Sequence, residues 1–262
     1  MGSATRSALE AGIAALGARK PTASTGEQLL AAARAIDSSS QLRSLLADPS
    51  VSGDDKRAIV SRVFGSLDGV ASAVLVAAAE QRWSSPADLV DGVEELGIRA
   101  VVASAPKTAS VERELFDVQR VVASDPELEL AVSSKLGDPA AKAALVEKLF
   151  AGKVSGEAVT IVAHLVQSPR GRRIRAALGR ASEVVASATD RLVATVTAAS
   201  PLSSDQQKRL SAALEAQYGL APQLNVIIDP AVIGGIRVQI ADDVIDGSVA
   251  SRLNDLRIQL AG

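Results

Sequence analysis

His164 is the single histidine of this 262-residue chain, and there is no cysteine. A histidine-based metal cluster, a thiolate metal site, a cysteine nucleophile and a disulfide are all excluded by that count. His164 stands in an apolar run, Ala158-Val159-Thr160-Ile161-Val162-Ala163-His164-Leu165-Val166, and reads as a packed helix histidine rather than a general base. Four arginines crowd into PRGRRIR: Arg170, Arg172, Arg173 and Arg175. A phosphate or nucleic-acid contact would use such a patch. No aromatic residue interleaves for base stacking, so a solvated helix start or a protein contact is the favoured reading.

Three further patterns are weaker. Gly152-Lys153 has the Gly-Lys pair of a phosphate loop, but Glu147 stands where the first glycine belongs and Val154 where a Mg²⁺-binding hydroxyl belongs. Gly234-Gly235 follows one strand pattern and precedes another, so no helix N-terminus faces a pyrophosphate there, and a hairpin bulge is expected. Asp229, Asp242, Asp243 and Asp246 do not have EF-hand spacing, and turn chemistry accounts for them. No catalytic residue, cofactor or metal site is expected, and the chain reads as a non-enzyme.

The elements that carry these residues are mostly helical. Hydrophobic residues make up 47% of the chain and aromatic ones only 2%, so the apolar content is Ala, Val, Leu and Ile. Alanine loses no side-chain entropy in a helix and suits closely packed bundles. The net charge of −2 supplies no field to drive the chain onto nucleic acid or anionic lipid. Val70–Ala79 is the most apolar run and has half of the roughly 20 residues that a membrane span requires.

Taken in order, Ser3–Ala18 is expected as a first domain helix, rather than a leader, with Leu9, Ile13 and Leu16 on one side. Thr22–Gly26 reads as a polar loop, Glu27–Asp37 as a second helix and Leu42–Leu46 as a short third. A fourth helix carries Ile59, Val60, Val63 and Phe64. The fifth, Val70–Trp83, is apolar nearly all round and so expected at the centre. Pro86 starts a sixth that runs toward Val102.

The pattern then recurs. A shift of 86 positions carries Lys56 onto Lys142, Phe64 onto Phe150, Arg34 onto Arg120, Leu42 onto Leu128 and Val76 onto Val162, without a gap. That points to a duplicated helical unit, with Pro86–Ala103 closing the first bundle and opening the second. The division expected is 1–103 for the N-terminal bundle, 104–190 for the second helical unit and 191–262 for a small α/β domain. An elongated helical arm is expected, because no Gly/Ser-rich spacer separates the two units.

In the last segment, Arg191–Ala199 alternates as a strand, and Ser203 with Gln206 fits a capping box for a helix bearing Leu210, Leu214 and Tyr218. Leu224, Val226 and Ile228 alternate as another strand, Ile236, Val238 and Ile240 as a third, and Val244-Ile245 as a short return. Asp246-Gly247-Ser248 opens a final helix with Val249, Leu253, Leu256 and Leu260 on one stripe. The fold class expected is mainly α with a small strand-helix-hairpin-helix domain at the C-terminus.

The stretch IDPAVIGGIRVQIADDVIDGSVASRLNDL resembles the C-terminal end of the delta subunit of F-type ATP synthase, the bacterial relative of the oligomycin-sensitivity-conferring protein. Asp229, Gly234-Gly235 and Asp246-Gly247-Ser248 carry that resemblance, and ATVTAASPLSSDQQKRL is similar to the same family. Over the first two thirds it rests on composition, on Leu42, Asp48-Pro49 and Lys56, and on Arg82-Trp83. The doubled helical unit departs from most members and resembles long actinobacterial forms.

The resemblance implies a peripheral-stalk subunit on the catalytic F1 head, holding the head still against rotor torque. Its implied partners are the N-terminal helices of the alpha subunits and the end of the membrane-anchored b subunit. The place implied is the cytoplasmic face of the cell membrane, reached only through the complex, with no cofactor and no nucleic acid. Leu9, Ile13, Leu16, Val74 and Ala78 are the expected lining of the alpha-helix groove. The stripe Val249, Leu253, Leu256 either closes its own domain, the preferred reading, or receives b. The alternative is an unrelated helical adaptor that contacts nucleic acid through the Arg170–Arg175 patch.

Overall fold

A computed structural model describes residues 2–106, 110–134, 137–189, 191–218, 221–230, 232, 234–240 and 243–246. The chain divides into two compact bodies, Met1–Val185 and Ala186–Gly262. Among the described residues there are twelve helices and four strands, as the mainly α reading requires.

The N-terminal body runs through α1 (Ser3–Gly17), α2 (Ala23–Ser38), α3 (Ser40–Ala47), α4 (Gly53–Val63), α5 (Gly69–Ala79) and α6 (Pro86–Ser104). It continues with α7 (Val111–Ser124), α8 (Pro126–Ser133), α9 (Pro139–Phe150), α10 (Gly156–Gln167) and most of α11 (Ile174–Ala188). Short polar residues start these helices because each side-chain oxygen takes a free backbone N–H of the first turn. Ser39 accepts from the Leu42 N–H at 3.2 Å and Ser52 from the Asp55 N–H at 3.2 Å.

The 86-residue shift holds in these details. It carries the Ser39 cap of α3 onto the Asp125 cap of α8, whose carboxylate accepts from the Leu128 N–H at 3.0 Å. It carries the Ser52 cap of α4 onto the Asp138 cap of α9. Buried Lys56, with the Asp48 charge beside it, maps onto buried Lys142, which donates to the Ser134 carbonyl.

Two hydrophobic clusters fill this body, and α6 is the wall between them. It gives Leu89, Val93, Leu96 and Ala100 to the first, which includes Leu16, Leu29, Ile36, Val74 and Leu75. Its other side gives Ile98 and Val101 to the second, with Leu115, Phe150, Ile161, Leu165 and Leu178. Helix α2 packs along α6 at close range because each helix offers a glycine. A Cβ at Gly26 would stand 2.7 Å from the Val101 backbone nitrogen, and one at Gly97 would stand 3.1 Å from that of Leu30.

Two helix boundaries differ from expectation. Helix α2 starts at Ala23, inside the segment read as a loop, because Thr22 and Thr25 form a reciprocal capping box. Thr25 also donates to Asp68 at 2.8 Å, which ties that start to the cap of α5. Helix α5 stops at Ala79, short of Trp83, whose indole N–H turns back to donate to the Ala78 carbonyl at 2.8 Å.

The C-terminal body holds β1 (Arg191–Ala198), α12 (Ser204–Tyr218), β2 (Ala221–Ile228), β3 (Ile236–Ile240) and β4 (Asp243–Asp246) in a sheet ordered β2-β1-β3-β4. β1 and β2 run parallel, joined by α12 as the crossover helix, while β3 pairs antiparallel with both β1 and β4. The capping box is present: the Ser203 N–H donates to Gln206 at 2.8 Å, and the Gln206 N–H to Ser203 at 3.3 Å. Ala194, Val196, Leu214, Val238 and Ile240 form the core. Asp243, expected in the turn, pairs with Ile240 as the first residue of β4.

Candidate functional site

The residues expected to line a groove on α1 and α5 lie mostly inside the first core. Leu9 and Leu16 are buried, Val74 and Ala78 are fully enclosed, and Ile13 is half-buried against the same cluster. Helices α1 and α5 pack against each other, and half-buried Val70 and Val76 on α5 keep apolar surface accessible.

In the C-terminal body, Gly234 and Gly235 have φ of 68° and 75°, the left-handed region that a side chain rarely adopts. The Asp229 N–H donates to the Ala198 carbonyl at 2.9 Å and fastens the loop after β2 to the end of β1. Asp246 ends β4 opposite Arg237. Gly247, Ser248, Val249, Leu253 and Leu256 lie outside the described residues.

The arginine patch is the largest departure from expectation. Arg170 and Arg172, with 11% and 26% of their side chains exposed, both turn inward onto one carboxylate. Glu94 of α6, with only 7% of its side chain exposed, takes Arg172 Nη1 on Oε1 at 2.7 Å and Nη2 on Oε2 at 3.0 Å. Arg170 Nη2 approaches the same Oε1 to 2.7 Å as an ion pair without hydrogen-bond geometry, and its Nη1 donates to Asp91 at 2.5 Å. The chain reverses there through two left-handed residues, Arg170 at φ 46° and Gly171 at φ 76°. Arg175 pairs with Glu129, so three of the four arginines are committed to carboxylates.

His164 of α10 completes the cluster. Its Nε2 is 3.0 Å from Glu94 Oε2 and its Nδ1 is 2.7 Å from an Arg34 guanidinium nitrogen of α2. A guanidinium can only donate, so Nδ1 must accept, Nε2 carries the proton and the ring is neutral. Burial lowers the His164 pKa, and the Arg34 and Arg170 charges add to that against the pull of Glu94. Burial raises the Glu94 pKa, but the bonds from His164 and Arg172 and the charges of Arg170 and Arg172 outweigh it, drawing the carboxyl to about 2. A cleft of about 180 Å³ lies beside this cluster, lined by Asp91, Glu95, Ile98, Leu165, Arg172 and Arg180. Arg180 there is paired with Glu95 at 3.1 Å. With both oxygens bonded to Arg172, Oε2 also to His164 and Arg170 crowding Oε1, Glu94 is occupied by its own chain, and the arrangement holds helices together.

The 86-residue shift explains where the cluster sits. Thr5 and Ser84, hydrogen-bonded at 2.9 Å in the first repeat, map onto Asp91 and Arg170. Ala8 and Ala78, both buried in the first core, map onto Glu94 and His164. Sequence reasoning found His164 and the arginines but missed Glu94. Carrying the repeat alignment one helix back would have shown a carboxylate replacing a core alanine.

The profile of the family described as ATP synthase delta (OSCP) subunit matches residues 99–260. Proteins named ATP synthase subunit delta are similar over most or all of their length. The one from Leifsonia xyli is 49% identical over 100% of both chains. That from Pseudarthrobacter chlorophenolicus is 40% identical over 100% of both, and that from Streptomyces avermitilis 41% identical over 90% of this chain and 88% of its own. A chain of the Toxoplasma gondii mitochondrial ATP synthase hexamer aligns at 22% identity and a TM-score of 0.39, covering 64% of this chain and 95% of that one. The profile and the relatives matched across both helical repeats show that the chain belongs to the ATP synthase delta (OSCP) subunit family.

Proposed function

We propose that the chain is a non-catalytic peripheral-stalk subunit of a proton-translocating F-type ATP synthase. It joins the alpha subunits of the F1 head to the membrane-anchored b subunit and resists rotor torque. The observation that carries this reading is the match, over both chains in full, to relatives named as delta subunits. The physical character of the chain supports it. Among the described residues no helix is long and apolar enough to cross a membrane, so attachment to the cytoplasmic face of the cell membrane would come through partners.

Within this reading the alpha subunits dock on the first repeat. An amphipathic helix binds by laying apolar anchors into a seam between two helices. The seam of α1 and α5 offers half-buried Ile13, Val70 and Val76 above an enclosed floor of Leu9, Leu16, Val74 and Ala78. The equivalent helices of the second repeat, α6 and α10, both pack against α2 and carry the Glu94 cluster between them. That leaves the second repeat to extend the link, and the C-terminal body, 191–262, with Val249, Leu253 and Leu256, as the end nearest b.

The test uses F1 prepared without this subunit. Mixed with the chain, it should form a complex that co-elutes in size-exclusion chromatography. F1 whose alpha subunits lack their N-terminal helices should not bind. Equal binding by the two preparations would overturn the alpha assignment.

A further inference from the structure

We propose that Arg34, His164 and Glu94 form a pH-sensitive clamp that fixes the second helical repeat against the first and opens when His164 takes up a proton. This does not rest on the stalk reading, since it concerns the chain alone.

The fold does not need charges here. At the first-repeat equivalents of Glu94 and His164, Ala8 and Ala78 fill the core, and in the second repeat Arg120, the equivalent of Arg34, lies exposed beside Asp117. Apolar packing commonly serves as well as a buried ion pair, so a charged cluster confined to the junction marks a conditional contact. Beside the apolar packing of Leu30 and Ile98 in the second core, the polar part of the link is made of single bonds in series: α2 through Arg34 to Nδ1, then Nε2 to Glu94 of α6. A proton on Nδ1 turns its acceptor into a donor facing a donor and adds a cation beside Arg34, Arg170 and Arg172. Glu94 cannot absorb that charge alone, because its oxygens already serve Arg170 and Arg172.

Among the described residues, Glu94 is the carboxylate that acts on His164. Glu114 of α7 is bound to Ser155 at the opposite end of α10, Lys142 of α9 to the Ser134 carbonyl, and Asp91 to Arg170. With the His164 pKa held below 6.5, the clamp is complete above that value and is lost as pH falls through the depressed one. Glu94 itself stays ionised down to about 2.

The chain has no cysteine, so Ser61→Cys with Glu147→Cys, at equivalent exposed sites on α4 and α9, can be spin-labelled without background. Dipolar spectroscopy should give one narrow distance at about pH 8 that broadens as pH is lowered below 6.5, with far-UV helicity retained. His164→Gln, whose amide can accept from Arg34 and donate to Glu94 without titrating, should keep the narrow distance throughout. Arg34→Met should be broad already at about pH 8 and insensitive to pH. The clamp is overturned by an unchanged wild-type distance, by broadening that comes only with loss of helicity, by equal broadening in His164→Gln, or by a narrow Arg34→Met distance.

Discussion

Glu94 shows how much one side chain can decide. Removing it leaves Arg170, Arg172 and His164 facing one another in a nearly dry site, and breaking a buried pair by deleting one partner typically costs about 3–5 kcal/mol. Glu94→Ala is therefore expected to lower the denaturation midpoint sharply, by more than Asp91→Ala, whose side chain is half exposed. Chemical denaturation of the two variants measures the difference. The carboxyl also fixes an acid limit. A pKa drawn from 4.5 down to about 2 means stability that is present above 4.5 and lost as pH falls toward 2. Glu94→Gln should flatten the part of the stability–pH curve below 4.5, read by denaturant titration at stepped pH. Little of this was legible in the sequence. Two acids in succession, Glu94-Glu95, look like a solvated helix face, and only their equivalence to Ala8 and Leu9 betrays a buried position. Gly234-Gly235 was legible as a left-handed pair but not as the hairpin bulge expected, because β1 stands between β2 and β3 in the sheet.

At the scale of elements, local chemistry and the repeat told most of the story. Ser203 and Gln206 announced α12, whereas the caps Ser39, Ser52, Asp125 and Asp138 stand in register at helix starts that the sequence reading placed without them. The start of α2 was missed because Thr22 and Thr25 have the composition of a loop, and their reciprocal bond decides otherwise. Ser203→Ala should cost about 1 kcal/mol, seen as a lower unfolding midpoint of the C-terminal body with the N-terminal transition unmoved. Gly26→Ala makes the opposite separation. Its Cβ would meet the Val101 backbone, so α2 must shift from α6, at about 1–3 kcal/mol for overpacking. Calorimetry should show the N-terminal transition moving down while the C-terminal one stays. The close approach itself was not legible, since a glycine within a helix pattern shows nothing of what crosses it.

For the whole molecule, composition pointed to what the structure carries, alanine-rich helices. The family came from unusual residues in fixed order near the C-terminus, and the doubled helical unit from an 86-residue register that the structure reproduces helix by helix. The partners are a further step, and they are the central claim. Affinity capture of the tagged chain from gently solubilised native membranes, followed by protein identification, tests that claim most directly. The account predicts recovery of the alpha, beta and b subunits of an ATP synthase together. Recovery of other partners or of nucleic acid, with no ATP synthase subunit among them, would contradict it.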